Sequence, residues 1–285
     1  MPAQSFHIAR IFYNPQHQMF NELTASVAGG LIDLGHSCST GLNQLRPDAV
    51  NILIGATMFA SRQMELPRQL AGQPYILYQV EQLDDRLGLL PQWPEYRDLM
   101  AGAARIWDYG SSSTAWLRDR GVTSVTTLLP GHHPCLEVVQ PAPRLDVDFV
   151  FVGTPHPRRQ RILDALKQSG ASVVHLNGAY GEVRNQMLAR AKVVLNIHAW
   201  DGLNPLETVR LSFLLANRRF VVSEKSDHDP YGGGVIFARY DDLVETCLYH
   251  LRQSPERRMA VAERGYQAVR GHSMTEALRA LVGSA

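Results

Sequence analysis

The sequence predicts an α/β protein of two successive domains, each a parallel sheet covered by helices. Three observations carry this expectation. Short apolar, β-branched runs alternate with amphipathic stretches along most of the chain. The alternation stops once, between Pro130 and Pro143, where four prolines and a Gly-His-His cluster read as a linker. Polar residues follow the most apolar run at once, and the carboxyl edge of an open parallel sheet is where ligands bind.

At 285 residues the chain is long enough for two domains of ordinary size. Its 28 basic and 27 acidic residues nearly cancel, which gives no bulk electrostatic case for nucleic acid or an anionic membrane as partner. No apolar run is long enough to span a bilayer, and the N-terminus lacks the basic start and apolar core of a signal peptide, so a cytoplasmic protein is expected. Cys38, Cys135 and Cys247 are scattered and form neither a metal spacing nor a disulfide framework.

Taken in order, strands are predicted near Phe6–Phe12, Ser37–Thr40, Asn51–Ile54, Tyr75–Val80, Ile106–Tyr109 and Ser124–Thr127. Helices fill the gaps, at about Met19–Leu34, Met64–Leu70, Tyr96–Ala103 and Ser113–Arg120, with Gly35 and Gly121 where C-caps are needed. After the linker a second series opens with a strand at Val147–Val152. It continues as a helix from Arg158 to Ser169, a strand from Ser172 to Leu176 and a helix from Glu182 to Arg190. The expected division is residues 1–140 and 141–285. The last helix, Met274–Val282, is expected to return to the first half.

The stretch from Ala191 to Glu224 organises the rest. Val193–Ile197 is too short and too β-branched for a buried helix and reads as a parallel strand. His198, Asp201 and Asn204 follow. Asn204-Pro205-Leu206-Glu207 then supplies an N-cap, a proline at the first helical position and a glutamate at the third. The helix is expected to run to Ala216 and the next strand from Phe220 to Ser223. A helix N-terminus at that edge favours an anion such as a phosphate.

Glu207 has two readings: a capping glutamate serving its own helix, or a carboxylate acceptor for ribose hydroxyls. Arg210 is its intrahelical ion-pair partner or a ligand contact. His198 is a core histidine or a pocket residue. Gly153 and Thr154 end the Asp148–Val152 run, with Arg158 and Arg159 just beyond; glycine admits close approach and arginines clamp a diphosphate, or the segment is a plain turn before a basic helix start. Asn177 and Tyr180 either frame a planar base or make an ordinary strand-to-helix turn. In the first half, Glu81 ends an apolar strand where a general base would sit, unless it caps a helix, and Asn14, Pro15 and His17 follow the first strand on the same rim. His132 and His133 diverge too much to share a metal, and no metal site is expected. Gly232–Gly234 is a mobile loop or a plain turn. No Gly-x-Ser-x-Gly elbow and no P-loop occur.

With these residues in view, the second half resembles the C-terminal domain of the group 1 glycosyltransferases of GT-B fold. The resemblance rests on Phe149–Gly153, on Lys192–His198, and on Glu207-Thr208-Val209-Arg210 leading to Leu215–Glu224. Tyr78–Gln82 and Trp107–Gly110 resemble the N-terminal half of divergent bacterial members. It implies two Rossmann-like domains facing a cleft, a nucleoside diphosphate sugar held mainly by the second and an acceptor bound mainly by the first. Many members carry two glutamates separated by seven residues. Counted back from Val221-Val222 the second would fall on Phe213, and counted from Glu207 the first would fall on Ala199; neither is acidic, so Glu207 is offered as the substitute.

The function expected is therefore transfer of a sugar from a nucleoside diphosphate sugar to a hydroxyl or amine, with no cofactor beyond the donor and no metal. The backbone after Leu203 and Arg158 or Arg159 are expected to clamp the diphosphate, Glu207 to hold the ribose, and Glu81 or His17 to act as base if the reaction inverts. A nucleotide-sugar epimerase or phosphorylase, and a non-catalytic binding module, remain rivals. The acceptor and a homodimeric state are left open.

Overall fold

The computed structural model describes residues 3–12, 15–57, 70, 72–83, 85, 94–202, 206–226 and 228–282; the side chains of 15–17 and 94–95 lie outside the description. The expected helix at Met64–Leu70 falls outside it, apart from Leu70. So do Asn14, the side chain of His17, and the Leu203, Asn204 and Pro205 positions.

The chain divides into two compact units, residues 1–135 with 273–285, and residues 136–272. The division falls five residues before the expected boundary. In the first unit, β1 (Ser5–Arg10), β2 (Ser37–Leu42), β3 (Val50–Ile54), β4 (Tyr75–Gln79), β5 (Arg105–Asp108) and β6 (Val125–Thr127) form one parallel sheet in the order β2-β1-β3-β4-β5-β6. Its helices are α1 (Asn21–Asp33), α2 (Pro94–Gly102) and α3 (Ser111–Arg118). Leu53, Leu77 and Ile106 of the strands are fully buried in its core, because a sheet covered on both faces buries the residues on each side, and Leu117 of α3 packs against them.

The second unit repeats the plan. β7 (Val147–Val152), β8 (Val173–Leu176), β9 (Ala191–Asn196), β10 (Val221–Glu224) and β11 (Ile236–Ala238) pair in parallel in the order β11-β10-β9-β7-β8. Between and after them lie α4 (Pro157–Gln168), α5 (Gly181–Arg190), α6 (Thr208–Ala216), α7 (Leu243–Arg252) and α8 (Pro255–Arg270). Apolar residues fill both faces of the sheet, Val150, Val194 and Val221 on one and Phe149, Leu195 and Val222 on the other. In both sheets the strand order reverses beside the first strand, which opens a crevice between β1 and β3 and another between β7 and β9.

The C-terminal helix α9 (Met274–Val282) belongs to the first unit and packs on α1. Gly30 permits the approach: a Cβ there would lie 2.8 Å from Leu278 and 3.3 Å from the Thr275 backbone. Asp33 accepts hydrogen bonds from Thr275 Oγ1 (3.1 Å) and His133 Nε2 (3.2 Å), tying both helices to the segment that follows β6.

The glycine-rich segment after β10 is a built turn. Asp229 accepts from the amides of Tyr231 (2.8 Å) and Gly233 (3.2 Å), while Gly232 and Gly233 take positive φ. Gly234 lies against α8, where a Cβ would sit 2.2 Å from Gly265 Cα. Because backbone stands on both sides, Gly234→Ala is expected to cost the second unit about 2–3 kcal/mol, measured as a fall in its urea midpoint.

Candidate functional site

The switch point of the second sheet brings three loops together: the turn after β7, the turn after β9 and the segment entering α6. β7 and β9 are neighbours in register, with Phe151 opposite Leu195, so the turns at 153–156 and 197–202 leave the sheet side by side. Lys192 and Asp148 pair at 2.7 Å at the opposite end of the same strands.

Arg159 points from the first turn of α4 into this edge. It is buried; Nε donates to Ile197 O (2.9 Å) and Nη1 to Thr154 O (3.1 Å) and Oγ1 (3.0 Å). Burial and then the neighbouring Arg210 lower its pKa to about 10, while Glu207 acts the other way. Arg210, on the first turn of α6, donates to Asn196 Oδ1, and Asn196 in turn donates to Ser223 Oγ at 2.9 Å. Phe151 lies under both guanidiniums, at 5.3 Å from Arg159 and 6.0 Å from Arg210. Two cations are thus held together by neutral acceptors, and neither is in an ion pair among the described residues.

Arg158 is differently employed. Its guanidinium is buried and pairs with both oxygens of the buried Glu224 carboxylate, Nη1 to Oε2 at 2.6 Å and Nη2 to Oε1, and stacks 3.7 Å above the Tyr240 ring. Burial disfavours its charge, but Glu224 outweighs that and raises its pKa. Glu224 Oε2 also accepts the His198 amide at 3.0 Å, and His198 O accepts from Arg158 Nη1 at 3.2 Å, so the end of β9 is clamped through its backbone. The expected diphosphate role of Arg158 is corrected accordingly: its charge is spent inside the protein.

His198 is 2% exposed, and neither ring nitrogen has a hydrogen-bond partner among the described residues; Nδ1 stands 3.7 Å from Glu224. Burial lowers its pKa against the pull of Glu224 and Glu207, so the imidazole is neutral at pH 7.

Other expectations need correction. The helix after β9 begins at Thr208, and Glu207 occupies the N-cap with φ −71° and ψ 61°, making no side-chain capping bond. The reason is visible in the backbone: Glu207 O is the first carbonyl to accept an i→i+4 bond, from Leu211 at 2.9 Å, so Glu207 is not the third residue of a capping box. Its half-buried side chain remains within electrostatic reach of Arg159 and His198. Leu206 is a core residue. Gly153 presents no free amide, because its N–H donates to Leu176 O (3.0 Å) and its carbonyl accepts from His175 (2.9 Å); glycine is needed there because a Cβ would meet the Phe151 ring at 2.9 Å. Thr154 is exposed and serves Arg159. Asn177 and Tyr180 follow β8, one strand outside the switch point, with Tyr180 at the N-cap of α5. Glu81 lies in the first unit, just past β4, where Gln79 Oε1 accepts its amide at 3.2 Å.

Sequence reasoning passed over Glu224, Asn196 and Tyr240. A carboxylate at the end of a short, largely apolar strand was the available signal for Glu224, as it was for Glu81.

The switch point of a doubly wound parallel sheet is where open α/β folds bind ligands, and Arg159 and Arg210 stand at that edge. No protein-family model matches the chain. Two uncharacterized proteins of Acanthamoeba polyphaga mimivirus are similar to it. One is 30% identical over 173 residues, 55% of each chain, and the other 27% identical over 155 residues, 52% of this chain and 53% of the relative. The chain thus spans about half the length of the curated relatives it matches, and these are viral, whereas the sequence resemblance was to bacterial members. Among solved structures, an alpha-glucosyltransferase in complex with UDP-glucose and DNA containing an abasic site superposes with a TM-score of 0.67 at 10% identity, covering 100% of this chain and 99% of that one. AviGT4, a glycosyltransferase involved in Avilamycin A biosynthesis, gives 0.53 at 15% identity over 98% of both chains. TarM gives 0.55 at 13% identity, over 83% of this chain and 54% of its own. The chain has the GT-B fold of two Rossmann-like domains. No helix among the described residues is long and apolar enough to cross a membrane.

Proposed function

We propose that the chain is a glycosyltransferase that moves a sugar from a nucleoside diphosphate sugar to an acceptor hydroxyl or amine, with its donor held by the second unit. One observation carries this reading: the adjacent guanidiniums of Arg159 and Arg210 stand at the sheet's switch point with only neutral acceptors. Burial and the neighbouring Arg210 disfavour the charge on Arg159, and a diphosphate placed against the two side chains offsets their repulsion. As the sugar leaves, negative charge grows on the diphosphate, and two fixed cations stabilise that state without a metal ion. Glu207 is the carboxylate for ribose hydroxyls, and Glu81 or His17 of the first unit is the base if the reaction inverts. The solved alpha-glucosyltransferases of the same fold, which hold UDP or UDP-glucose, support the donor class.

The test is release of nucleoside diphosphate from a panel of nucleotide sugars, with sugar, amine and DNA acceptors. DNA is included because two of the similar structures contain it. Turnover by the wild-type chain that falls at least about a hundredfold in Arg210→Gln is expected, from loss of a charge-assisted contact in the transition state. Tight donor binding with no turnover on any acceptor would instead favour a binding module.

A further inference from the structure

Beside the basic cluster stands an aromatic side chain that the donor reading leaves unused. Trp200 is 57% exposed, on the turn directly after β9 at the carboxyl edge of the second sheet. Among the described residues, the other large apolar side chains exposed in this unit lie on helices or in the segment before β7. Trp200 is braced. The His156 ring meets it edge-on, with centroids 4.9 Å apart and planes at 67°. His156 is itself fixed as the N-cap of α4, its Nδ1 accepting from the Arg158 amide at 3.4 Å, which leaves the proton on Nε2. The next residue, Asp201, has a side chain 96% exposed with Oδ1 3.8 Å from Arg158 Nη2. The turn thus meets His156 through Trp200 and lies near Arg158, the sequence neighbour of Arg159, through Asp201.

A T-shaped contact occupies at most one face of the indole, and with more than half of the residue exposed the ring keeps surface for a ligand. An indole face carries negative quadrupole density. The C–H bonds on one face of a pyranose carry partial positive charge and lie flat on such a ring, while an adjacent carboxylate accepts the hydroxyls at its rim. A ring held in place before binding loses little freedom when a ligand stacks on it.

We infer that Trp200, braced by His156 and flanked by Asp201, is a stacking platform for the hexose of the donor, next to the arginines that hold its diphosphate. The inference rests on the donor reading above. It makes Trp200 a specificity residue for the sugar and indifferent to the nucleotide.

The test is calorimetric titration of the wild-type chain, Trp200→Ala and Trp200→Phe with UDP, GDP, ADP and dTDP, each alone and as its glucose conjugate. For the nucleotide that the wild type binds, Trp200→Ala is expected to weaken the glucose conjugate about tenfold and leave the diphosphate within about twofold. Trp200→Phe is expected to recover most of the loss, with the melting temperature unchanged in both variants. Equal weakening of diphosphate and conjugate would assign the ring to the nucleotide and overturn the inference. No change in either would remove Trp200 from binding altogether. In both of those cases the donor site stands. Absence of binding to all eight compounds by the wild type would overturn the donor reading and this inference together.

Discussion

Glu224→Ala is expected to destabilise the second unit by about 3–5 kcal/mol, because it strips a buried guanidinium of its counter-charge. Arg158 would remain buried over Tyr240 with the His198 carbonyl as its hydrogen-bond acceptor and only the exposed Asp201 carboxylate, 3.8 Å away, as counter-charge, and the His198 amide would lose its partner as well. The pair itself is worth much less than that figure, since taking two charges out of water offsets most of their attraction. The double variant Arg158→Met with Glu224→Leu is therefore expected to recover most of the stability lost in the single one. Urea unfolding followed by circular dichroism reads both. A single-variant loss below about 1 kcal/mol would mean that the pair is hydrated and does not clamp the end of β9.

The first unit carries the second large effect. Asp108 closes β5 fully buried; Oδ1 accepts the Gly110 amide at 2.9 Å and Oδ2 has no partner among the described residues. Burial raises its pKa from 3.8 to about 7, with the Gly110 hydrogen bond opposing. A carboxyl that keeps its proton longer when folded makes the folded state the better proton binder between about pH 4 and 7, so stability falls as pH rises through that window. A carboxyl titrating at about 7 in the fold and 3.8 in the unfolded chain corresponds to about 4 kcal/mol lost by pH 8. Asp108→Asn retains the acceptor for Gly110 and carries no charge. It is expected to be more stable than wild type at pH 8 by about 2–4 kcal/mol and nearly equal to it at pH 4. An equal difference at both pH values would show that packing, not ionisation, separates the two side chains.

Much of the fold was legible because its signals are local. Val193–Ile197 is apolar, short and β-branched, and lies almost wholly within β9; the polar residues after it mark the carboxyl edge because a buried strand tolerates them only at its end. The placement of Arg159 and Arg210 near that edge was legible for the same reason. What escaped is decided by partners far along the chain. Arg158 and Arg159 are adjacent and chemically alike, yet one meets a carboxylate 66 residues away and the other meets neutral oxygens. Nothing near Arg158 in the sequence announces Glu224. Gly153 looked like a phosphate turn, but its requirement comes from the Phe151 ring two residues back. Asn-Pro-Leu-Glu matched a capping box, while the helix starts at Thr208 because Glu207 leaves the helical region of backbone space.

The proposed function stands or falls on Arg159 and Arg210 binding a diphosphate at the switch point of the second sheet. Calorimetric titration of nucleoside diphosphates into the wild type and into Arg210→Gln tests it most directly. Glutamine reaches toward Asn196 without a charge, so removal of one charge-assisted contact is expected to weaken binding about 10- to 100-fold with the unfolding midpoint unchanged. The loss should shrink as salt rises. Equal affinity in wild type and variant, at low salt and with both folded, would contradict the account.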